Sequence, residues 1–281
     1  IQNNLKMAEK KLIDLFNESQ YYSLKYKNYF PIYEKLFDKY RDKKITFVEI
    51  GVLSGGSLKM WKKYFGEGSR IIGIDLNPKA KKFENDEIEI FIGSQSDESF
   101  WESFFKKVGK VDIILDDGGH TNFQQIMTTC CTVPNINDDG LLVVEDVFHS
   151  YGVSYGARGF FNPSKYSFIN FCKKTIDDIN YRFPETKKFN FSLNKYIHSV
   201  EIFESIVAFK INEGLCKIEN EVLYNKGKNF ELKDYAHIHD PNTPGSNKFV
   251  VFIKNLYPKF RGTLKYFVFK INERLLKKVF K

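Results

Sequence analysis

The chain has 281 residues, 42% hydrophobic and 28% charged, enough for one α/β core with appendages. No apolar run approaches the roughly 18 residues that a membrane-spanning helix needs, and the opening IQNNLKMAEKKL has no signal-like apolar stretch. A cytoplasmic location is therefore expected. The formal charge of +8 is concentrated in residues 249–281, where nine Lys/Arg face Glu273 alone. The near-neutral remainder argues against a nucleic-acid groove across its face.

Residues 1–43 read as two helices. Leu5, Ala8, Leu12 and Leu15 carry the first; Tyr33, Leu36, Phe37 and Tyr40 carry the second, with Pro31 near its start. Between them lies an aromatic patch, Tyr21-Tyr22-Ser23-Leu24-Lys25-Tyr26, which is expected to pack against a sheet edge more than to line a site. The pairs Tyr21/Lys25 and Tyr40/Lys44 have the spacing used by short-chain dehydrogenases, but they precede the glycine loop and are set aside.

A buried strand from Ile45 to Ile50 follows, then Gly51, Gly55, Gly56 and Ser57, then a helix carried by Leu58, Trp61 and Phe65. A second apolar strand ends on Asp75. Strand, glycine turn, helix, strand and acid make the first half of a nucleotide-binding βαβ unit. The glycines let the backbone approach a ligand, and the acid can accept hydrogen bonds from both ribose hydroxyls. A dinucleotide fingerprint would place its second glycine at Leu53, so a pyrophosphate would meet a side chain there. The motif reads instead E-x-G-x-x-x-G-G, led by Glu49, which resembles motif I of the class I S-adenosylmethionine (SAM) methyltransferases.

Glu87–Ile92 predicts a third strand, and Asp97 caps the helix after it. Val111–Leu115 predicts a fourth strand, ending in Asp116-Asp117-Gly118-Gly119-His120; Leu141–Val144 predicts a fifth, ending in Glu145-Asp146. In open α/β sheets ligands bind beyond the carboxyl ends of strands. Four carboxylates and an imidazole converging there repel one another unless a cation intervenes, and oxygen ligands suit Mg²⁺ or a similar hard ion. Capping of the following helices is the structural alternative for these acids.

EIGVLSGGS, Asp75, GSQSD, DDGGH and VED together resemble the metal-dependent sugar O-methyltransferases of the mycinamicin type, over roughly residues 20–210. The resemblance implies a Rossmann-like, mostly parallel class I methyltransferase sheet with a C-terminal antiparallel hairpin. It implies metal ligation by Asp117, Glu145 and Asp146, and His120 as general base. Cofactor contacts are expected from Glu49, Gly51, Gly55, Ser57, Asp75 and Asp116, and at the adenine from Ser94 and Gln95. The domains then read as an N-terminal helical segment 1–43, a methyltransferase domain 44–212 and a C-terminal extension 213–281.

Phe148–Arg158 reads as a substrate-side loop, with His149 as a reserve base, leading into a helix from Lys165 to about Asn180. Tyr196–Phe203 and Ile206–Ile211 form the hairpin, turning at Glu204-Ser205. Cys130, Cys131, Cys172 and Cys216 match no zinc pattern and read as reduced thiols. His237, His239 and Asp240 fall in a polar loop and read as solvated. Leu264, Phe267, Val268, Ile271, Leu275 and Val279 recur at helical spacing opposite Lys and Arg, a basic amphipathic helix suited to a membrane surface, an acidic partner or a dimer contact.

The expected function is transfer of a methyl group from SAM to a sugar hydroxyl, with Mg²⁺. The acceptor expected is a nucleotide-activated heptose or deoxyhexose bound for bacterial surface or capsular polysaccharide. A small phenol or catechol acceptor is the alternative within catalysis. Outside it stands a non-catalytic methyltransferase-like module that docks through its basic tail, with peripheral contact at the inner membrane face.

Overall fold

The computed structural model describes residues 10–152, 163–182 and 192–219, together with 221, 223 and 270. Chain contacts divide the protein into two units, Ile1–Asn220 and Glu221–Lys281. The first unit carries every strand described. The expected tail helix, the His237/His239 loop and residues 153–158 of the substrate-side loop lie outside the described residues, as do residues 1–9 of the first predicted helix.

Two short helices open the described chain, α1 (Leu12–Asn17) and α2 (Tyr29–Phe37). The order is then β1 (Thr46–Ile50), α3 (Gly56–Phe65), β2 (Arg70–Asp75), β3 (Ile88–Ile92) and α4 (Glu98–Val108). It continues with β4 (Val111–Asp116), α5 (Asn122–Thr132), β5 (Ile136–Val144) and α6 (Phe168–Asn180). The hairpin β6 (Ile197–Phe203) and β7 (Ile206–Ile211) and a short α7 (Glu213–Cys216) end it.

One seven-stranded sheet has the order β3-β2-β1-β4-β5-β7-β6. The first five strands run parallel, and β7 pairs antiparallel with both β5 and β6. The expected α/β class, parallel core and terminal hairpin are all present. Adjacent strand residues face opposite layers, so the apolar doublets divide cleanly. Phe47, Ile71, Ile113, Leu115 and Val143 pack toward α1–α3, against Leu12, Tyr33, Phe37, Trp61 and Phe65. Val48, Ile72, Ile114, Leu142 and Val144 pack toward α4–α6, against Trp101, Phe104 and Phe168. Both layers bury, which is why these strands read as continuous apolar runs.

The helix α5 follows DDGGH and has no counterpart in the periodicity reading. Its sequence, NFQQIMTTCCT, is dominated by Thr, Cys, Gln and Asn and carries a weak apolar stripe. Thr121 and Gln124 form a capping box that starts it. The four cysteines are unpaired; Cys172 is buried, and Cys130, Cys131 and Cys216 are half-buried.

Candidate functional site

The cleft is built on the carboxyl ends of the five parallel strands, β1 to β5. Gly51 leaves β1 at φ 96, and a Cβ there would run into the carbonyl oxygen of Asp117. Only glycine allows that turn and that approach together. The loops are pinned across the strand tips: Gly51 N–H donates to Ile74 O at 2.8 Å and Asp117 N–H donates to Ile50 O at 3.1 Å. Asp75 accepts from the backbone of Val52 at 2.9 Å and of Asn77 at 2.8 Å, which fixes its carboxylate at the rim. Three non-glycine residues of the cleft, Leu53, His120 and Asp146, have φ of 48, 57 and 56. Left-handed backbone costs such residues about 1–3 kcal/mol each, and its clustering at one cleft marks a functional region.

The space between these loops is about 450 Å³. Gly51, Leu53, Asp75, Leu76 and Ser94 line one half; Lys25, Asp117, His120, Glu145 and Asp146 line the other. Leu53 and Leu76 are 61% and 70% exposed, apolar side chains held open on the first half. On the second half Asp117, His120 and Asp146 offer atoms within 4.8 Å of one another, a spacing a metal ion can bridge. His120 Nε2 lies 3.5 Å from Asp146 Oδ2 and 3.9 Å from Asp117 Oδ1. His149 stacks on His120, with ring centroids 5.5 Å apart. Burial, and then the charge of His120, hold the His149 imidazole below its ordinary pKa.

Strand parity explains the rest of the acidic half. Glu49, Asp117 and Glu145 continue the faces of Phe47, Leu115 and Val143, so all three turn toward the α1–α3 layer. There they meet Lys25, a residue that sequence reasoning left in the aromatic patch. Its ammonium lies 2.6 Å from Asp117 Oδ2, 3.0 Å from Glu145 Oε1 and 3.2 Å from Glu49 Oε1. Burial opposes the charge of Lys25, but Asp117, Glu145 and Glu49 outweigh it and raise its pKa well above the usual lysine value. Burial, with the neighbouring Asp117, raises the Glu145 carboxyl well above the carboxylate range against the pull of Lys25. Tyr33 donates its hydroxyl to Glu145 Oε1. All three expected ligands line the cleft: Asp117 and Asp146 stand with His120, and Asp117 and Glu145 share Lys25.

Of the residues expected at the cofactor, Gly51, Asp75, Ser94 and Gln95 line the cleft, whereas Glu49, Gly55, Ser57 and Asp116 are not part of its lining. Glu49 is fully buried and accepts from the Ser57 hydroxyl at 2.7 Å, so this pair ties β1 to the start of α3. Burial raises the Glu49 carboxyl. Gly55 packs its backbone against the Phe83 ring. Asp116 is 1% exposed on the α4–α6 side and accepts from the Gln95 amide at 3.0 Å; burial raises its carboxyl too. Gln95 is saturated within the protein, donating to Asp116 and to Thr128 at 2.9 Å and accepting from Gly119 N–H at 2.8 Å. It braces the DDGG turn and, with Ser94, lines the cleft where the adenine contact is expected. Leu24, Lys25 and Tyr26 line the cleft, which corrects the expectation of sheet-edge packing for the aromatic patch.

No protein-family model matches the chain. It is 31% identical over 160 residues to the 8-demethyl-8-alpha-L-rhamnosyl tetracenomycin-C 2'-O-methyltransferase of Streptomyces olivaceus, covering 54% of this chain and 41% of that one. It is 30% identical over 159 residues to the mycinamicin VI 2''-O-methyltransferase of Micromonospora griseorubida, covering 54% and 39%. The chain thus spans about two fifths of the length of the curated relatives it matches. Among solved structures it resembles the MycE methyltransferase in complex with Mg and SAH, with TM-score 0.64 and 24% identity over 73% of this chain and 54% of that one.

Proposed function

We propose that this chain, a homologue of sugar O-methyltransferases of the mycinamicin and tetracenomycin type with their Rossmann-like methyltransferase fold, transfers a methyl group from SAM to a sugar hydroxyl. One observation carries the reading: a glycine-turned, ribose-competent half and an Asp-His-Asp half share one cleft. Gly51 brings backbone to the cofactor without a side chain between them. The Asp75 carboxylate, oriented by Val52 and Asn77, receives the ribose hydroxyls on its remaining lone pairs. Leu53 and Leu76 cover apolar surface of the adenosine, and Ser94 stands at its edge.

The second half fits a hard divalent cation: Asp117 and Asp146 would hold it with carboxylate oxygens, the donor type such an ion prefers, beside His120. Such an ion lowers the pKa of a coordinated hydroxyl and orients it. His120 is the general base, beside both acids and within the same space. His149, stacked behind it and biased toward the neutral form, is the reserve proton acceptor. The protein's main work is alignment, because in-line methyl transfer depends on the geometry of two bound reactants.

The relatives' printed names describe sugars already joined to a larger molecule, such as a rhamnosyl tetracenomycin. They favour a glycosidically bound sugar over the nucleotide-activated sugar and capsular route expected at first. The test is incubation of the full chain with methyl-labelled SAM, Mg²⁺ and a panel of rhamnosides and deoxyhexosides. His120→Ala should reduce label transfer at least about 100-fold, in the range of a lost general base, while S-adenosylhomocysteine (SAH) binding is retained. Transfer at the native rate in His120→Ala would remove His120 from the role of base.

A further inference from the structure

Lys25, Tyr29 and Tyr33 follow one another at four-residue spacing, and the two tyrosines lie about one turn apart on the same face of α2. Each gives a proton donor to an acid at the tip of β4 or β5. The Lys25 ammonium meets Asp117 Oδ2 at 2.6 Å, the Tyr29 hydroxyl donates to Asp146 Oδ1 at 2.5 Å, and the Tyr33 hydroxyl donates to Glu145 Oε1. One oxygen of every expected cation ligand is thus held from the N-terminal helical segment. The other oxygens of Asp117 and Asp146, Oδ1 and Oδ2, lie 3.9 and 3.5 Å from His120 Nε2, and Glu145 lines the same cleft. Packing alone does not ask for the two phenol hydroxyls. Tyr29 and Tyr33 are buried, and α2 fills its other core positions with Phe30, Leu36 and Phe37. A buried hydroxyl costs stability unless it is paired, and here each is paired with a carboxylate of the cleft. The Tyr29 hydroxyl also lies 3.1 Å from Ser205 Oγ, which anchors it to the turn between β6 and β7.

We propose that Tyr29 and Tyr33 are positioning residues of the cation site: each hydroxyl holds one oxygen of a ligand carboxylate, Asp146 or Glu145, so that the other oxygen is presented to the divalent ion. This rests on the metal-dependent reading above, with Asp117, Glu145 and Asp146 as the ligands. A carboxylate already hydrogen-bonded from outside loses less freedom when it takes up an ion, and removal of such a partner commonly lowers metal affinity about 10- to 100-fold. Orientation matters most for Asp146, whose left-handed backbone, at φ 56, takes it out of the strand alternation. The face of α2 is therefore part of the site.

The experiment is Mn²⁺ titration of the full chain, followed by electron paramagnetic resonance, with no acceptor present. Tyr29→Phe and Tyr33→Phe keep the buried rings and every charge, and remove only the hydroxyls. Each should weaken Mn²⁺ binding at least about tenfold, while SAH affinity stays within about threefold of native. Tyr22→Phe, at an exposed tyrosine outside the cleft lining, should bind both as the native chain does. Native Mn²⁺ affinity in either variant would overturn the role of that hydroxyl and leave the metal-dependent reading standing. Equal losses of Mn²⁺ and SAH affinity would also overturn it, because a merely structural role moves both. If one variant does not fold, the other decides, since each hydroxyl serves a different ligand. Failure of the native chain to bind Mn²⁺ would overturn the metal-dependent reading and this proposal with it.

Discussion

At Gly51 a single hydrogen atom decides whether β1 can meet β4. The position combines φ 96 with a carbonyl directly in the path of any Cβ. Gly51→Ala should therefore destabilise the fold by about 1–3 kcal/mol and weaken SAH binding more than it lowers the melting temperature. Unchanged SAH affinity would mean that this turn does not approach the cofactor. At His149 the sign follows from its depressed pKa, caused by burial and by His120. The unfolded chain binds the proton more readily, so this contribution to stability is complete above the unfolded pKa, near 6.5, and is lost as pH falls through the lower folded value. His149→Asn should flatten that part of the acid limb in denaturant titrations run across the window; an identical limb in native and variant would contradict it. Sequence made Gly51, Asp75, Asp117, His120 and Asp146 legible because each sits on a strand tip inside a compact motif. Lys25 was not legible. Its only local signal was a Tyr-x-x-x-Lys spacing in the wrong place, and its partners come from far along the chain.

Elements differ in how openly they announce themselves. The helix α3 was plain from Leu58, Trp61 and Phe65, and it anchors the aromatic layer: Trp61 is fully buried and its ring packs on Tyr33, Phe37 and Phe47. Trp61→Ala should cost about 3–5 kcal/mol by the lost burial and the cavity left, seen as a lower denaturant midpoint; a loss under 1 kcal/mol, of the size exposed sites show, would contradict that packing. The helix α5 was hidden, because Thr, Cys and Gln give little periodicity, and only Thr121-x-x-Gln124 marked its start. The acids of the glycine-loop and DDGG motifs were read by residue type, whereas parity along the strands decides their direction. Glu49 and Asp116 point to opposite layers beneath the cleft, which is why a motif reading placed both at the cofactor and the fold buries both.

On the scale of the whole molecule, the parallel sheet with its terminal hairpin places every strand-tip motif at one cleft, and the described residues form no helix long and apolar enough to cross a membrane. Every described residue that lines that cleft lies within the unit Ile1–Asn220. A chain ended after Asn220 should keep native SAH affinity in calorimetry, whereas a loss of about tenfold or more would mean that residues 221–281 complete the site. Removal of divalent ions with a chelator should abolish methyl transfer but leave SAH bound, because the proposed cation ligands Asp117 and Asp146 are distinct from the proposed cofactor contacts Gly51 and Asp75. The measurement closest to the central claim needs no knowledge of the acceptor: calorimetric titration of the native chain with SAH, with NAD as control. Saturable micromolar binding of SAH and none of NAD is expected. Binding of NAD, or of neither, would contradict the reading of the glycine turn and with it the proposed methyl transfer.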